Sequence, residues 1–226
     1  MYSAARTCYS NGTPSKIHKE LNWGYGKKIS LIDSIINMGH HSVLEHVSVT
    51  FAIDGMSRSC SHQLVRHRLT SFSQQSQRYV QFDGANLKTV MPDSIKNKAN
   101  LKESYDIFME QVSEFYEFLL DEGVPREDAR FVLPNACCTN LVMTVNVRQL
   151  IEMCKLRMCS TAQWEIRAMF LIIKNIILYD KHLSFLWRYL NPKCDWLLYC
   201  PEGDRCCGRH KVNKPNTSGM LRWEQE

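Results

Sequence analysis

Residues 139–159, TNLVMTVNVRQLIEMCKLRMC, decide the fold, because a strand pattern changes into a helix pattern at one residue. Thr139 to Val145 is rich in apolar and β-branched residues and predicts a strand. Asn146 is a favourable N-cap, and Gln149 stands three positions later, so a helix is predicted from there to about Cys159. A strand that leads directly into a helix indicates a fold that mixes both elements.

Strands and helices continue to mix on both sides of this stretch. One further strand is predicted at residues 47–53, whereas the Ser- and Gln-rich residues 69–75 are predicted to form a loop. Because regular strand–helix–strand alternation is absent, we expect an α+β fold rather than a doubly wound sheet. Helices are predicted at residues 28–38, 57–66, 94–122, 125–133 and 162–186.

The composition is that of an ordinary globular protein of 226 residues, with 44% hydrophobic and 23% charged residues. This balance excludes a disordered or fibrous chain. The longest apolar stretch, Met169 to Tyr179, contains Lys174 and is too short to cross a bilayer. No secretory signal is visible, so we expect a cytoplasmic protein. The net charge of +5 permits an anionic ligand but is smaller than nucleic-acid-binding proteins usually carry.

The chain has ten cysteines, and with no export signal we expect free thiols rather than disulfides. Four of them have the spacing C-x5-C-x5-C-C, which differs from the paired C-x2-C of zinc ribbons. A zinc or redox role and a reduced, mobile tail beyond Gly208 are both consistent with this spacing. The four are Cys194, Cys200, Cys206 and Cys207, with His210 nearby. The other six lie within or beside apolar patterns typical of buried thiols: Cys8, Cys60, Cys137, Cys138, Cys154 and Cys159.

The densest group of anion-binding side chains is residues 63–78, QLVRHRLTSFSQQSQR. Guanidinium groups bind phosphate through a planar fork, and hydroxyl and amide groups add neutral donors. These residues are therefore predicted to surround a phosphorylated ligand. Two alternatives are a solvated turn with incidental basic residues and a nucleic-acid-binding surface, which would carry a continuous basic face.

Two further arginines are weaker candidates when each is considered alone. Arg157 stands near the end of the predicted helix, where a cation also complements the helix dipole. Arg130 has Glu127 and Asp128 nearby, so a surface ion pair is the alternative. The histidines of residues 39–46, GHHSVLEH, match no metal-binding template. A glycine-rich phosphate loop and a G-x-S-x-G nucleophile motif are absent from the sequence.

Four blocks together resemble the flavin-dependent thymidylate synthases (ThyX). The signature RHR, followed by seven residues and Ser, spans Arg66 to Ser76. GHHSVLEH is similar to a family segment that precedes a strand. GVPREDARFVLP (123–134) and VNVRQLIEMCKLRMCSTAQWEIR (145–167) resemble two later family blocks. The blocks occur in the family's order and cover roughly residues 4–190.

The resemblance implies a homotetramer of subunits with an antiparallel-rich sheet flanked by helices, and FAD bound at the subunit interfaces. It implies a catalytic domain over residues 1–190 and a cysteine-containing extension over residues 191–226. The implied reaction is reductive methylation of dUMP to dTMP, with methylenetetrahydrofolate supplying the carbon and NADPH reducing the flavin. The family uses no cysteine nucleophile. The implied partners are dUMP and a folate, with no nucleic acid and no membrane.

The resemblance also implies roles for individual residues, and it implies no metal ligand. Arg157 is implied to be catalytic, because it stabilises the ionised uracil ring, and Arg130 is implied to reach the nucleotide of another subunit. The implied FAD ligands are His40, Ser42, Arg66, His67, Arg68, Gln74, Asn146, Arg148 and Glu152. The implied dUMP ligands are Gln63, Arg66, Gln74, Gln75, Ser76, Gln77, Arg78, Arg130 and Arg157.

Four positions depart from the family pattern. Gln74 stands where many members carry Glu, Glu152 where many carry Asn, Thr161 where many carry His, and Cys8 where Ser is common. A Glu-to-Gln change removes a charge but keeps a hydrogen-bonding amide, so we expect ligand binding to survive it.

Overall fold

The strand predicted at residues 139–145 is the central strand of the sheet. In the computed structural model it is β3 (Cys138–Asn146), which pairs antiparallel with β1 (Ser48–Ser57) and with β2 (Thr70–Gln74). The strand order is therefore β1-β3-β2. The prediction of a mixed α+β class is confirmed.

The structure describes residues 1–20, 24–82 and 87–212. The chain divides into two compact units, Met1–Gln149 and Leu150–Glu226. Within the described residues, no helix combines the length and the apolar character needed to span a bilayer.

Burial alternates along β3, as side chains do on successive positions of a strand. Leu141, Met143 and Val145 are buried, whereas Val142 between them is 44% exposed. One face of the sheet therefore contributes to the core of the first unit, and Phe51 of β1, opposite Met143, belongs to the same core.

A β-bulge interrupts the pairing of β1 with β3 between Ile53 and Met56. Gly55 lies inside the bulge with φ +70°, a conformation that a residue with a Cβ atom rarely adopts. Its N–H donates to Oδ1 of Asn140, at 2.9 Å, so a side chain of β3 replaces the missing backbone partner.

The prediction of a loop at residues 69–75 is wrong, because Thr70 to Gln74 form β2. Ser and Gln have weak strand propensity, and the local sequence therefore favours a loop. Pairing with the free edge of β3 overrides this preference, with Phe72 opposite Met143 and Gln74 opposite Leu141.

The first unit also contains seven α-helices and two 3-10 helices among its described residues. The helix predicted at 28–38 is present as α3, and its end is confirmed, since Gly39 has φ +79° and donates to the Ile36 carbonyl oxygen. Short 3-10 helices cover His41–His46 and Arg130–Val132. The α-helices are α1 (Tyr2–Thr7), α2 (Pro14–Glu20), α3 (Tyr25–Asn37), α4 (Arg58–Leu64), α5 (Asp93–Lys96), α6 (Ala99–Asp121) and α7 (Arg126–Ala129).

The single long helix predicted at residues 94–122 is two helices, α5 and α6. Lys98 between them has extended backbone angles, φ −123° and ψ 108°, which end one helix and begin the next. Apolar periodicity continues across this break, and the pattern alone therefore gives no sign of it.

The predicted N-cap at Asn146 is confirmed. Its Oδ1 accepts a hydrogen bond from the backbone N–H of Gln149, at 2.8 Å, and α8 (Val147–Arg157) follows. A capping side chain satisfies one of the backbone donors that a helix start leaves without a partner.

The second unit contains α9 (Trp164–Tyr179), a 3-10 helix over Ser184–Tyr189 and α10 (Lys193–Leu197). The helix predicted at 162–186 thus ends earlier, because Asp180 leaves the helical conformation and its Oδ1 accepts the N–H groups of residues 182 and 183. One face of α9 is buried, through Ile166, Phe170, Ile173 and Ile177.

Most of the tail that is predicted to be mobile beyond Gly208 lies outside the described residues, and its described part, residues 209–212, contacts the preceding segment. Cys200 donates its N–H to the Lys211 carbonyl oxygen, at 2.9 Å, and forms a parallel bridge with Val212. Residues 213–226 lie outside the described part of the chain.

Because β3 is the central strand, neighbouring residues on its two faces should differ sharply in how much their side chains contribute to the free energy of unfolding. Met143→Ala should lower the free energy of unfolding by about 2–5 kcal/mol, since it leaves a cavity where no side-chain surface is exposed. Val142→Ala, on the opposite face, should cost only about 0.5 kcal/mol. Chemical denaturation of both variants measures the two losses, and equal losses would contradict the assignment of the buried face.

Candidate active site

The signature arginines lie on one turn that follows α4. His67 is buried, and its backbone N–H donates to the Leu64 carbonyl oxygen, at 3.2 Å, which closes the turn against the helix. Arg66 and Arg68, on either side of His67, are exposed. The turn therefore presents two guanidinium groups to solvent from a fixed backbone.

This turn fits the diphosphate of the FAD that the family resemblance implies. Among the residues that the structure describes, neither Arg66 nor Arg68 makes a hydrogen bond or an ion pair, so both forks are available to an anion. Two guanidinium groups match the two negative charges of a diphosphate, with charge-assisted hydrogen bonds. The donor set is thus suitable for the cofactor.

Gln74 uses its side-chain amide as a donor inside the first unit. Its Nε2 donates to Oγ of Ser61 at 3.0 Å and to Oγ1 of Thr139 at 3.1 Å. Both hydroxyl residues are buried, so Gln74 satisfies polar groups that would otherwise lose hydrogen bonds. The Ser61 hydroxyl already donates its proton to the Arg58 carbonyl oxygen, so it can accept from an amide but has no proton left for a glutamate at position 74.

The residues after β2 are fixed by contacts with β3. The N–H of Gln75 donates to the Asn140 carbonyl oxygen at 2.9 Å, and Nδ2 of Asn140 donates to Oε1 of Gln75 at 3.1 Å. Both residues line a cavity of about 620 Å³. Gln77 is buried and Ser76 is half-buried, whereas Gln63 lies on α4 and donates to the Ser59 carbonyl oxygen at 3.5 Å.

Glu127 brings two of the predicted nucleotide ligands together. Its carboxylate accepts from Nε of Arg78 at 2.8 Å, and its backbone oxygen accepts from Nε of Arg130 at 3.0 Å. The surface ion pair considered for Arg130 is not formed with Glu127, because the Glu127 carboxylate pairs with Arg78 and Arg130 contacts only the backbone oxygen. Both carboxylate and guanidinium are about half exposed, at 49% each.

Arg58 is a cation of this region that sequence reasoning missed. Burial, and to a smaller degree the charge of Arg130, lowers the pKa of Arg58 from its ordinary value. Two guanidinium groups that repel each other favour an anion nearby. One sequence signal could have drawn attention to Arg58: it directly follows Ser57, a favourable N-cap residue. In the structure the Ser57 side chain caps α4 by accepting from the N–H of Cys60.

His40 and Ser42 begin the 3-10 helix over His41–His46, and both are exposed. In the same helix, Glu45 forms an ion pair with Arg148, which lies two residues after the N-cap Asn146. This ion pair links two of the predicted FAD segments of the first unit, the one at His40 and Ser42 and the one at Asn146 and Arg148.

The remaining predicted residues belong to the second unit. Arg157 is the last residue of α8 and is half-buried. Glu152 pairs with Lys155, with 2.7 Å between Oε1 and Nζ. Thr161 is exposed, and its Oγ1 lies 3.1 Å from the Cys159 sulfur.

All ten cysteines are free thiols. Of the six predicted to be buried, Cys60, Cys137 and Cys154 are buried, Cys138 and Cys159 are half-buried, and the prediction for Cys8 is wrong because its thiol is exposed. Burial raises the pKa of Cys137 to about 11, since an apolar surrounding disfavours the charged thiolate.

Comparisons with known proteins show to which family the chain belongs. The family model described as thymidylate synthase complementing protein matches residues 1–178. A flavin-dependent thymidylate synthase of Geobacter sulfurreducens is 43% identical over 206 residues, which cover 91% of this chain and 87% of that protein. The chain belongs to the flavin-dependent thymidylate synthase family. The resemblance predicted from the sequence is confirmed, and the protein is an enzyme of this kind.

Other members of the flavin-dependent thymidylate synthase family are similarly close. The proteins of Nitratidesulfovibrio vulgaris and Thermococcus onnurineus carry the same name and are 42% and 43% identical. The first match covers 95% of this chain and 91% of the relative, and the second covers 75% and 71%. The similarity therefore extends over most of both chains.

This family uses no cysteine nucleophile, and the thiol of Cys137, which borders Arg58, is expected to be inert. With a pKa of about 11, roughly one thiol in a thousand is ionised at pH 8. Alkylation of Cys137 by iodoacetamide should therefore be negligible at pH 8 and rise about tenfold for each pH unit up to pH 11. Mass spectrometry of labelled peptides measures this, with exposed Cys8 as the control that reacts at pH 8. Equal labelling of both thiols at pH 8 would contradict the prediction.

Proposed function

We propose that this chain catalyses the reductive methylation of dUMP to dTMP, with FAD as its cofactor and with NADPH and methylenetetrahydrofolate as cosubstrates. The observation that carries the proposal is the turn on which buried His67 holds exposed Arg66 and Arg68 apart. These residues are the core of the family signature, and their guanidinium groups suit a diphosphate.

For FAD, the proposed ligands of the first unit fall into two groups. Arg66 and Arg68 would hold the diphosphate, and the exposed side chains of His40 and Ser42 would hydrogen-bond to the cofactor beside Arg148. The bound flavin supplies the reducing equivalents that NADPH delivers. Asn146 and, in the second unit, Glu152 complete the proposed set.

For dUMP, Arg78 and Arg130 are proposed to bind the phosphate group, with Ser76 as a neutral donor. Arg78 can exchange the Glu127 carboxylate for a phosphate at small cost, because an exposed ion pair contributes only about 0–1 kcal/mol. The proximity of Arg58 to Arg130 adds positive charge to the same region. The amides of Gln63, Gln75 and Gln77 would hydrogen-bond to the sugar and base.

Gln74 is proposed to fix the Ser61 and Thr139 hydroxyls through its side-chain nitrogen and to contact the ligand through its side-chain oxygen. Its Nε2 is engaged with Ser61 and Thr139, which leaves Oε1 as the atom that can accept from a ligand. This assignment differs from that of a glutamate, which would present a charge to the ligand.

Arg157 is proposed to be the catalytic residue. Without a cysteine adduct, the uracil ring must become electron-rich enough to attack a one-carbon electrophile, and loss of the N3 proton leaves negative charge on the ring. A guanidinium group is permanently charged and donates two parallel hydrogen bonds, so it favours this ionised form. A lysine keeps the charge but loses the fork.

We also propose a homotetramer in which Arg130 serves the nucleotide of another subunit. Each unit has apolar side chains in contact with solvent: Phe108, Phe115 and Phe118 on α6, and Ile172 and Ile176 on α9, are 49–60% exposed. Apolar surface of this kind is typical of subunit interfaces.

The catalytic domain is proposed to span residues 1–190, with residues 191–226 as a cysteine-containing extension. The family match over residues 1–178 supports this boundary. A cytoplasmic location is proposed as well, and the ten free thiols support it, because a reducing compartment keeps thiols unpaired.

Replacement of Arg68 tests the FAD assignment. Arg68→Ala should lower the flavin retained per chain after gel filtration, because one charge-assisted contact with the diphosphate is lost, and the elution volume should not change. Lys181→Ala, which removes an exposed cation elsewhere, is the control. Unchanged flavin content in Arg68→Ala would contradict this assignment, and wild-type protein that cannot be loaded with FAD would contradict the function.

Replacement of Arg157 tests the catalytic assignment. Arg157→Ala should form dTMP about 10²–10³ times more slowly at saturating dUMP, which is the usual cost of losing one such contact. Flavin reduction by NADPH should continue, because the arginine serves the nucleotide. Arg157→Lys should also be slow. The two half-reactions are measured separately, by flavin absorbance and by dTMP formation, and a wild-type rate of dTMP formation in Arg157→Ala would refute the mechanism.

A further inference from the structure

Three side chains with different donor atoms meet near the end of the described chain. The Cys194 sulfur, a carboxylate oxygen of Asp195 and a ring nitrogen of His210 all lie within 4.8 Å of one another. Nε2 of His210 is 2.8 Å from Oδ1 of Asp195, and the Cys194 sulfur is 3.9 Å from the same oxygen. Sulfur, imidazole and carboxylate donors are the ligands that zinc uses in proteins.

The fold brings these side chains together from two segments. Cys194 and Asp195 lie on α10, and His210 follows in sequence fifteen residues after Asp195. The hydrogen bond from the Cys200 N–H to the Lys211 carbonyl oxygen holds the later segment in place. The site is sheltered, since Cys194 is 8% exposed and the side chains of Asp195 and His210 are 21% and 26% exposed.

Cys200 is the candidate for a fourth ligand, although its sulfur is not one of the three donor atoms that lie within 4.8 Å of one another. It lines the same cavity of about 480 Å³ as Cys194 and His210, and its thiol lies within electrostatic range of the Cys194 thiol. The N–H of Glu202, two residues later, donates to the Cys200 sulfur. Cys206 accepts from the N–H of Gly208 in the same way, at 3.4 Å. Backbone donors of this kind stabilise the negative charge of a metal-bound sulfur.

The charges around this cluster balance with one divalent ion. The guanidinium group of Arg209 contacts both oxygens of Asp195, at 2.7 and 2.6 Å. Two thiolates and one carboxylate carry three negative charges, which one Zn²⁺ and Arg209 neutralise.

We propose that Cys194, Cys200, Asp195 and His210 bind one Zn²⁺ ion that fixes the end of the chain. The ion forms bonds to two sulfur atoms, one oxygen and one nitrogen, and the two thiol protons leave to solvent without electron transfer. With four protein ligands the site is closed, as in structural zinc sites, and metal binding contributes to the stability of this segment. The C-x5-C-x5-C-C spacing alone does not predict it, because Asp195 and His210 lie outside that pattern.

Zinc content measures the proposal directly. Full-length protein, incubated with ZnSO₄ and a reductant that does not bind metal, should retain about one Zn²⁺ per chain after gel filtration. Cys194→Ser and His210→Gln should each lower zinc affinity about 10–100-fold or more. Cys8→Ser removes an exposed thiol elsewhere and should retain zinc like the wild type. Protein loaded with Co²⁺ should show the visible absorption of a tetrahedral ion with a sulfur-to-cobalt charge-transfer band.

The same preparations separate loss of zinc from loss of folding. Flavin content and elution volume should match the wild type in both variants, and His210→Gln is decisive if Cys194→Ser does not fold. The proposal would be overturned if the wild-type protein retained no zinc. It would also be overturned if Cys194→Ser and His210→Gln both retained as much zinc as the wild type. Cobalt spectra without a sulfur band would overturn the assignment of the two thiols.

Discussion

The pairing of β3 on both of its edges is the constraint on which the first unit depends. Gln74 faces Leu141 in the register of β2, and this register places its amide between Ser61 and Thr139. A slip of one residue would turn every side chain of β2 to the other face of the sheet. The hydrogen bonds of Asn140 to Gly55 and Gln75 fix the same end of the sheet from both sides.

The sequence predicts best where one local interaction determines the backbone. The cap on Gln149 and the end of α3 at Gly39 were predictable because each depends on residues within four positions of one another, and the strand before Asn146 was predictable because its own residues are apolar and β-branched. β2 was not predictable from its own composition, since its partner lies about seventy residues away in β3. The end of α9 depends on Asp180, whose side chain competes for backbone N–H groups inside a continuous apolar pattern.

In the candidate site, too, the sequence predicts some features and leaves others to the structure. The family blocks identify Arg66, Arg68 and Arg78 as residues, but only the structure gives their partners. Arg78 has a carboxylate partner, whereas the signature turn presents its two guanidinium groups to solvent. Arg58 belongs to no quoted block and is recognised because burial and the charge of Arg130 lower its pKa, an effect that no local pattern encodes.

The cations of the first unit are positioned by the backbone rather than by ion pairs. The ion pairs of Arg78 and Arg148 are about half exposed, and such pairs contribute little to stability. The hydrogen bond from His67 to Leu64 and the pairing of β2 instead fix the chain from which these side chains extend. A site built in this way can release a carboxylate and accept a phosphate without loss of the fold. The positive charge is therefore available to an anionic ligand, while the buried apolar side chains of the core stabilise the fold.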